Sequence, residues 1–454
     1  MPASLLSPDS PASDRGRELL DRFPELTDVP GLPQARIVNE YILGRRSGEL
    51  DVSGRPTDGT FIAAEAVAAL PYDLIVVDDA QGLQAKLLGE LAPVTTYNDR
   101  IDEARIVAEA APSAVPSADW ASLRSSEDPD HETWAIVNAP KATQALAETI
   151  AALHAHVTTV IVIGRSDSMS RAVNKELARG FARVDVSPGV GKHRMIIGSR
   201  RLSSPSLPSF PKHNTIDHPV AGQLEVRAHG ACFSGTKNDE GSALLLTAVS
   251  TETVVSTETA AGTETAVSTE TAAGTETVAG AARDDDQSTA VPESILDLGC
   301  GNGWLLTAAM SVTKAAHGVG VDVSKAAVAS AAETAAANDI EVDVVLADAT
   351  DTEALVDTLA SADIDGPADI DGPAGSGGFD LILLNPPFHQ GTTIETDTAA
   401  ALMETAAALL APGGQVLTVF NSHLRYRESL QTHIGLSEQV ARTSKFTVVR
   451  SRKA

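Results

Sequence analysis

Two short segments in the C-terminal half of the chain place chemically useful residue types at the ends of hydrophobic runs. The first is Ile295-Leu296-Asp297-Leu298-Gly299-Cys300-Gly301-Asn302-Gly303, and the second is Phe379-Asp380-Leu381-Ile382-Leu383-Leu384-Asn385-Pro386-Pro387-Phe388. In the first, glycines at alternate positions let the backbone turn tightly and let a ligand approach main-chain atoms that a Cβ would shield. Trp304 to Val312 then reads as a helix, whose leading N–H groups lack partners within the helix. A dinucleotide loop would want G-x-G-x-x-G, and Trp304 stands at the third glycine position. Asp297, Gly299, Gly301 and Gly303 are therefore expected to hold a nucleoside cofactor that has no pyrophosphate.

The second segment answers a different need. The lone pair of an exocyclic amine is delocalised into its ring, so the nitrogen is a poor nucleophile. The Asn385 side-chain oxygen and the Pro386 carbonyl can accept its two N–H bonds, which favours a pyramidal nitrogen and aims the lone pair at an electrophile. Such catalysis works by orientation and electrostatics and requires no strong base. Pro386 and Pro387 stiffen the loop, and Phe388 offers a face for stacking a base, worth roughly 1–3 kcal/mol. Asn-Pro-Pro is also ordinary turn chemistry. Its company distinguishes it here, and the pair points to S-adenosylmethionine as methyl donor to an amino nitrogen.

These residues need a scaffold that brings strand ends together. His317 to Val321 reads as a strand ending in Asp322, placed to accept from both ribose hydroxyls. Asp343 to Ala347 reads as a strand ending in Asp348-Ala349, where the carboxylate can accept from an adenine amino group. Either acid alone would equally suit a helix N-cap. All candidates fall at C-terminal strand ends, where ligands bind in open α/β sheets. The N-terminal half echoes this pattern. Asp73 to Asp78 and Trp134 to Val137 read as strands, the latter ending in Asn138-Ala139-Pro140-Lys141, while Asp78-Asp79-Ala80-Gln81-Gly82 keeps one glycine. Thr158 to Ile163 is a β-branched strand, and Phe181 to Val186 with His193 to Gly198 form a closing hairpin. The expectation is a duplicated fold whose first copy no longer admits the cofactor.

Residues Asn385-Pro386-Pro387-Phe388-His389-Gln390, together with Asp297 to Gly303, resemble the ribosomal RNA guanine-N2 methyltransferases. That family comprises the small-subunit methyltransferase C and large-subunit methyltransferase G types. The similarity continues through Gly413-Gly414, Asn421-Ser422-His423-Leu424 and Thr443-Ser444-Lys445-Phe446-Thr447-Val448. Upstream it includes Phe233-Ser234, Asp239-Glu240-Gly241, Arg22-Phe23-Pro24 and Asn39-Glu40-Tyr41-Ile42-Leu43. Trp304 departs from the small aliphatic residue the family leads one to expect. The resemblance implies an α/β chain of two tandem Rossmann-like class I methyltransferase domains, the N-terminal one degenerate. It implies S-adenosylmethionine as cofactor and ribosomal RNA as partner. The expected division is a disordered 1–13, a degenerate domain over 14–205, a linker over 206–222 and a catalytic domain over 223–454. Low-complexity insertions are expected at 251–290 and 361–378. A protein glutamine or a DNA adenine remains open as the amino substrate, as does a non-catalytic role as an rRNA-binding assembly factor.

Composition bounds the rest. With 454 residues and 43% hydrophobic content, two or three cores are feasible. Cys232 and Cys300 give neither a disulfide framework nor zinc spacing, so no metal is expected. No signal peptide or membrane span is legible, and a cytoplasmic monomer is expected. The net charge of −27 sits badly with RNA. Residues 251–290, which hold five hexads from Thr251 to Gly280, then Arg283 and Asp284 to Asp286, carry −7 of it, and the duplicated hexad Ala362 to Pro373 carries −4, leaving −16. Any RNA surface must then be local, with Lys192, His193, Arg194, Arg200, Arg201, Arg442, Lys445, Arg450, Arg452 and Lys453 as candidates. The hexads lack large apolar side chains to offset chain entropy, so disorder is expected there.

Overall fold

Two sheets with one strand order organise the chain. The computed structural model describes residues 18, 21–24, 29–57, 71–123, 132–261, 291–362, 378–386, 393–424 and 426–453, and divides into compact units Met1–Phe210 and Pro211–Ala454. In the N-terminal unit the strands are β1 (Pro71–Val77), β2 (Val94–Tyr97), β3 (Val115–Pro116), β4 (Glu132–Asn138), β5 (Thr159–Arg165), β6 (Phe181–Val186) and β7 (His193–Arg201). They lie in the order β3-β2-β1-β4-β5-β7-β6, with the first five parallel and β7 antiparallel to both neighbours.

The C-terminal unit opens on a hairpin of β8 (Lys212–His218) and β9 (Gly222–Ala228). Its sheet comprises β10 (Ser294–Leu298), β11 (His317–Asp322), β12 (Asp343–Leu346), β13 (Phe379–Leu384), β14 (Leu410–Asn421), β15 (Gly435–Arg442) and β16 (Phe446–Lys453). The order β12-β11-β10-β13-β14-β16-β15 repeats that of the first sheet, including the antiparallel penultimate strand. Both sheets reverse direction of winding beside their central pair, and the crevice at that switch point is where such sheets bind ligands.

Aliphatic runs make the C-terminal sheet because both of its faces are covered. Leu296, Leu298, Ile382 and Leu384 pack on one side with Leu355, Leu402 and Met403. Ile295, Leu381 and Leu383 pack on the other with Leu245, Trp304 and Leu306. The bulk of Trp304 is absorbed there. It is buried, with its ring edge-on to His218 at 5.6 Å, and its indole N–H has no partner among the described residues. At the base of the sheet, Asp380 Oδ2 accepts from the Glu293 and Ser294 N–H groups at 2.9 and 3.0 Å, fixing β13 against β10 so that their far ends align.

Two expectations are corrected. Residues 206–222, read as a linker, include β8, because its backbone finds partners in β9. The helix Glu240–Ala261 also runs through the first hexads, read as a loop from Thr251. Buried Leu245, Leu246, Ala248 and Val249 anchor that helix, and extending an existing helix costs far less than nucleating one. The remaining hexads, much of the 361–378 insertion and residues 1–13 lie outside the described residues.

The outer edge of β9 is paired by side chains. Ser330 and Thr334 on the helix Lys325–Ala337, and Asn338 at its C-cap, each one turn from the next, meet the backbones of His229, Arg227 and Glu225 at 2.7–3.1 Å. Thr334 Oγ1 accepts from the Arg227 N–H and donates to its carbonyl. Thr334→Val keeps the shape and removes both bonds, so it should cost about 1–3 kcal/mol. Urea unfolding that is unchanged would contradict this pairing.

Candidate active site

The chain leaves β10 through three left-handed glycines, Gly299, Gly301 and Gly303, with φ of 84°, 55° and 72°. They have different physical reasons to be glycine. A Cβ on Gly299 or Gly301 would meet none of the described residues within 4 Å, whereas one on Gly303 would lie 2.6 Å from Ala331 Cα. Gly303 thus lets the helix Trp304–Thr313 pack against Lys325–Ala337. Gly299 and Gly301 leave main chain open at the strand ends.

Asp322, closing β11, joins this turn to the next helix. Its Oδ2 accepts from the Gly301 N–H and its Oδ1 from the Ser324 N–H, each at 3.0 Å. Asp297 lies beneath, fully buried, and its Oδ2 has no hydrogen-bond partner among the described residues. Burial, with a further contribution from neighbouring Asp322, pushes its carboxyl up to about 7. Asp348 forms a local turn, its Oδ1 accepting from the Thr350 N–H and hydroxyl at 2.9 and 2.6 Å, with Ala349 buried beside it. Neither acid is the helix cap itself, since Ser324 and Asp351 cap the two helices that follow, and Asp322 and Asp348 instead brace the turns that lead into them.

Asn385 follows β13 directly across the switch point. Its Nδ2 donates to Asp239 Oδ2 at 3.1 Å and to Ser242 Oγ at 3.0 Å. Both amide protons are thereby committed, and Oδ1 has no partner among the described residues. Pro386 is buried beside it, while Pro387 and Phe388 lie outside the described residues. The segment Asp239-Glu240-Gly241 stands out in the sequence, but its contact with Asn385 does not, because 146 residues separate the partners. The segment before it is tied to the glycine turn, with Asn302 Nδ2 donating to the Gly235 carbonyl at 2.8 Å.

Several candidate RNA-facing cations are engaged within the fold. Lys445 pairs with Glu240 at 2.8 Å, Arg450 pairs with Glu438, and Lys453 donates to the Leu410 carbonyl. Arg201 donates to the His154 and Ala155 carbonyls. Among the described residues, no group of three or more His, Cys, Asp or Glu side chains is arranged to hold a metal, and no helix is long and apolar enough to cross a membrane.

The same positions in the N-terminal unit have been refilled. Val77 pairs with Tyr97 and Val137 as Leu298 pairs with Val321 and Leu384, so Asp78, Asn98 and Asn138 stand where Gly299, Asp322 and Asn385 stand. Asp78 keeps the left-handed backbone, φ 53°, but carries a side chain whose Oδ1 accepts from the Asp99 N–H. Asp79 is buried and accepts from the Ala85 N–H at 2.9 Å, occupying a helix N-terminus with the protein's own carboxylate. Gly82, equivalent to Gly303, survives, and its Cβ would lie 2.6 Å from Ala110 Cβ. Asn138 Oδ1 accepts from Gln84 Nε2 at 2.7 Å, whereas Asn385 Oδ1 has no partner among the described residues.

Comparison with known proteins agrees with this geometry. Residues 283–361 and 366–450 match the family described as Methyltransferase small domain. That match lies within the C-terminal unit. The whole chain is similar to the ribosomal RNA large subunit methyltransferase G of Pseudomonas syringae pv. tomato, at 26% identity over 96% of this chain and 97% of the relative. The Streptomyces avermitilis protein of the same name is 39% identical over 36% of this chain and 37% of its own. The ribosomal RNA small subunit methyltransferase C of Erwinia tasmaniensis is 25% identical over 70% and 73%. The fold is that of a T. thermophilus 16S rRNA N2 methyltransferase solved with AdoMet and guanosine, at TM-score 0.61 and 19% identity over 84% of this chain and 88% of that one.

In this methyltransferase domain, the uncovered glycines and the unpartnered Asp297 oxygen fit a nucleoside cofactor, S-adenosylmethionine. Calorimetry should give one binding site per chain, abolished by Asp322→Ala. Two sites of similar affinity would contradict the loss of the N-terminal pocket. Asp297 also sets a pH dependence. The cofactor-free fold tolerates its neutral form, so its contribution is most favourable below the ordinary carboxylate range and declines as pH rises towards about 7. Asp297→Asn should therefore be more stable to urea than the parent, by a margin that grows between about pH 4 and 7 and then levels. The growth should be at most about 1.4 kcal/mol per pH unit. A margin that shrinks over this range would contradict the burial argument.

Proposed function

We propose that this chain transfers a methyl group from S-adenosylmethionine to the exocyclic N2 amine of a guanine in ribosomal RNA. The observation that carries the reading is the Asn385 amide. Both of its donors are held by Asp239 and Ser242, and its oxygen is left as an acceptor at the switch point beside the glycine turn. An acceptor there suits an incoming N–H and repels an incoming lone pair.

Gly299 and Gly301 would admit the cofactor to open backbone, with Asp297 below the turn and Gly303 holding the turn's helix in place. Asp322 would accept from the ribose hydroxyls, and Asp348 with Ala349 would line the adenine position. Bound S-adenosylmethionine supplies an electrophilic methyl on sulfur. Asn385 Oδ1 and the Pro386 carbonyl would accept the two N–H bonds of the guanine amine and turn its lone pair towards that methyl. Pro387 would stiffen the loop, and Phe388 would stack the base. Guanine N2 is engaged within a duplex, so the base must be unpaired or extruded. The protein is proposed to act as a monomer in the cytoplasm. Support for ribosomal RNA comes from the names of the relatives, of which the Pseudomonas syringae pv. tomato protein matches nearly the whole length of the chain.

The test is methyl transfer to naked 16S rRNA, naked 23S rRNA and intact ribosomal subunits, with N2-methylguanosine identified in the digested product. Transfer to naked or partly assembled rRNA should exceed that to mature subunits. Asn385→Ala should keep cofactor affinity and lose about 10²-fold or more in single-turnover rate, roughly 2.7 kcal/mol of barrier. Methylation of a protein or of DNA, with none on any rRNA, would overturn the assignment.

A further inference from the structure

The amide of Asn385 has no intrinsic reason to present its oxygen rather than its nitrogen to the cleft, since the two ends have nearly the same shape. Something must break that symmetry. An ionised carboxylate is acceptor-only, so whichever end of the amide faces it must be the NH₂. Asp239 Oδ2 lies 3.1 Å from Asn385 Nδ2, and Ser242 Oγ takes the second N–H at 3.0 Å. Rotating the amide by half a turn would bring its oxygen against the Asp239 carboxylate, which is repulsive. It would also leave the NH₂ pointing where the substrate amine must donate. We infer that Asp239, aided by Ser242, is a positioning residue that sets the polarity of Asn385. This rests on the methyl-transfer reading above.

The local sequence is built around that one oxygen. Asp239 is the N-cap of the helix Glu240–Ala261, and its Oδ2 also accepts from the Ser242 N–H at 2.8 Å. The cap contact holds the carboxylate in place. A Cβ on Gly241 would lie 3.1 Å from the same Oδ2, so a glycine there leaves the oxygen room. Upstream, the Gly235 carbonyl is bound by Asn302 of the glycine turn. The strap from Gly235 to Asp239 is therefore fixed at one end to the cofactor loop and at the other to Asn385. The N-terminal unit supplies a natural contrast. There Asn138 faces Gln84, an amide that donates as well as accepts, and the Asn138 oxygen is captured at 2.7 Å. In the C-terminal unit the facing group is the Asp239 carboxylate, which has no hydrogen to offer, and Asn385 Oδ1 has no partner among the described residues.

Two substitutions separate the cap from the brace. Asp239→Ser keeps a good N-cap but is too short to reach Asn385, whereas Asp239→Asn can keep an oxygen for both contacts. Each full-length variant is measured for S-adenosylmethionine affinity, melting temperature and single-turnover methylation of naked rRNA at saturating substrate, beside Asn385→Ala. We expect D239S to melt and bind cofactor as the parent does, and to lose tenfold or more in single-turnover rate. D239N should recover most of that loss. A D239S rate equal to the parent's, with N385A strongly impaired, would overturn the positioning role alone. Parental rates in both D239S and N385A would overturn the methyl-transfer reading of the site as well. A D239S loss explained by lowered melting temperature or cofactor affinity, and not rescued in D239N, would assign Asp239 to the helix cap and count against the inference.

Discussion

The turn out of β10 is the constraint on which the C-terminal unit depends. Within five residues it must reverse the chain, seat a helix and leave backbone uncovered, and no side chain satisfies all three. Gly303 answers to packing, because Ala331 lies where its Cβ would be. Gly299 and Gly301 answer to openness, because none of the described residues occupies the space beside them. The two copies separate these demands. Packing persists wherever the sheet persists, so Gly82 remains in the N-terminal unit with its neighbour Ala110 equally close. Openness matters only while a ligand binds, and there Asp78 and Ala80 have taken the other two places.

Electrostatics follows the same division. In the C-terminal unit Asp297 is buried with an oxygen unpaired among the described residues, a cost the fold bears at the strand ends. Asp322 accepts two backbone N–H groups and so ties the glycine turn to the end of β11. In the N-terminal unit the comparable groups are satisfied internally. Asp78 and Asp79 accept from their own backbone, and Gln84 and Asn138 bond each other. One unit keeps its polar groups available at the switch point and the other has closed them off.

Much of this was legible in the sequence because it is local. A hydrophobic run breaking into alternate glycines, acids at strand ends and Asn-Pro after an aliphatic strand are all read within ten residues. What escaped the sequence is non-local or ambiguous in period. Asp239 meets Asn385 across 146 positions, and nothing in either segment announces the other. The β8–β9 hairpin hid in a stretch of mixed polarity because one of its edges pairs with Ser330, Thr334 and Asn338 on a helix rather than with a strand. The hexads show no helical period, yet a helix begun on buried leucines continues into them. The tail cations read as an RNA surface by charge alone, while the fold gives Lys445 and Arg450 acidic partners.

The placement of an amine acceptor beside a nucleoside pocket has meaning only if a guanine in ribosomal RNA gains a methyl group there. The most direct measurement is to map N2-methylguanosine across the 16S and 23S rRNA of the source cells with and without this gene. The geometry of Asn385 requires that at least one such nucleotide lose its methyl group when the gene is removed and regain it on complementation with the parent, and not with Asn385→Ala. An N2-methylguanosine map identical in both strains would contradict it.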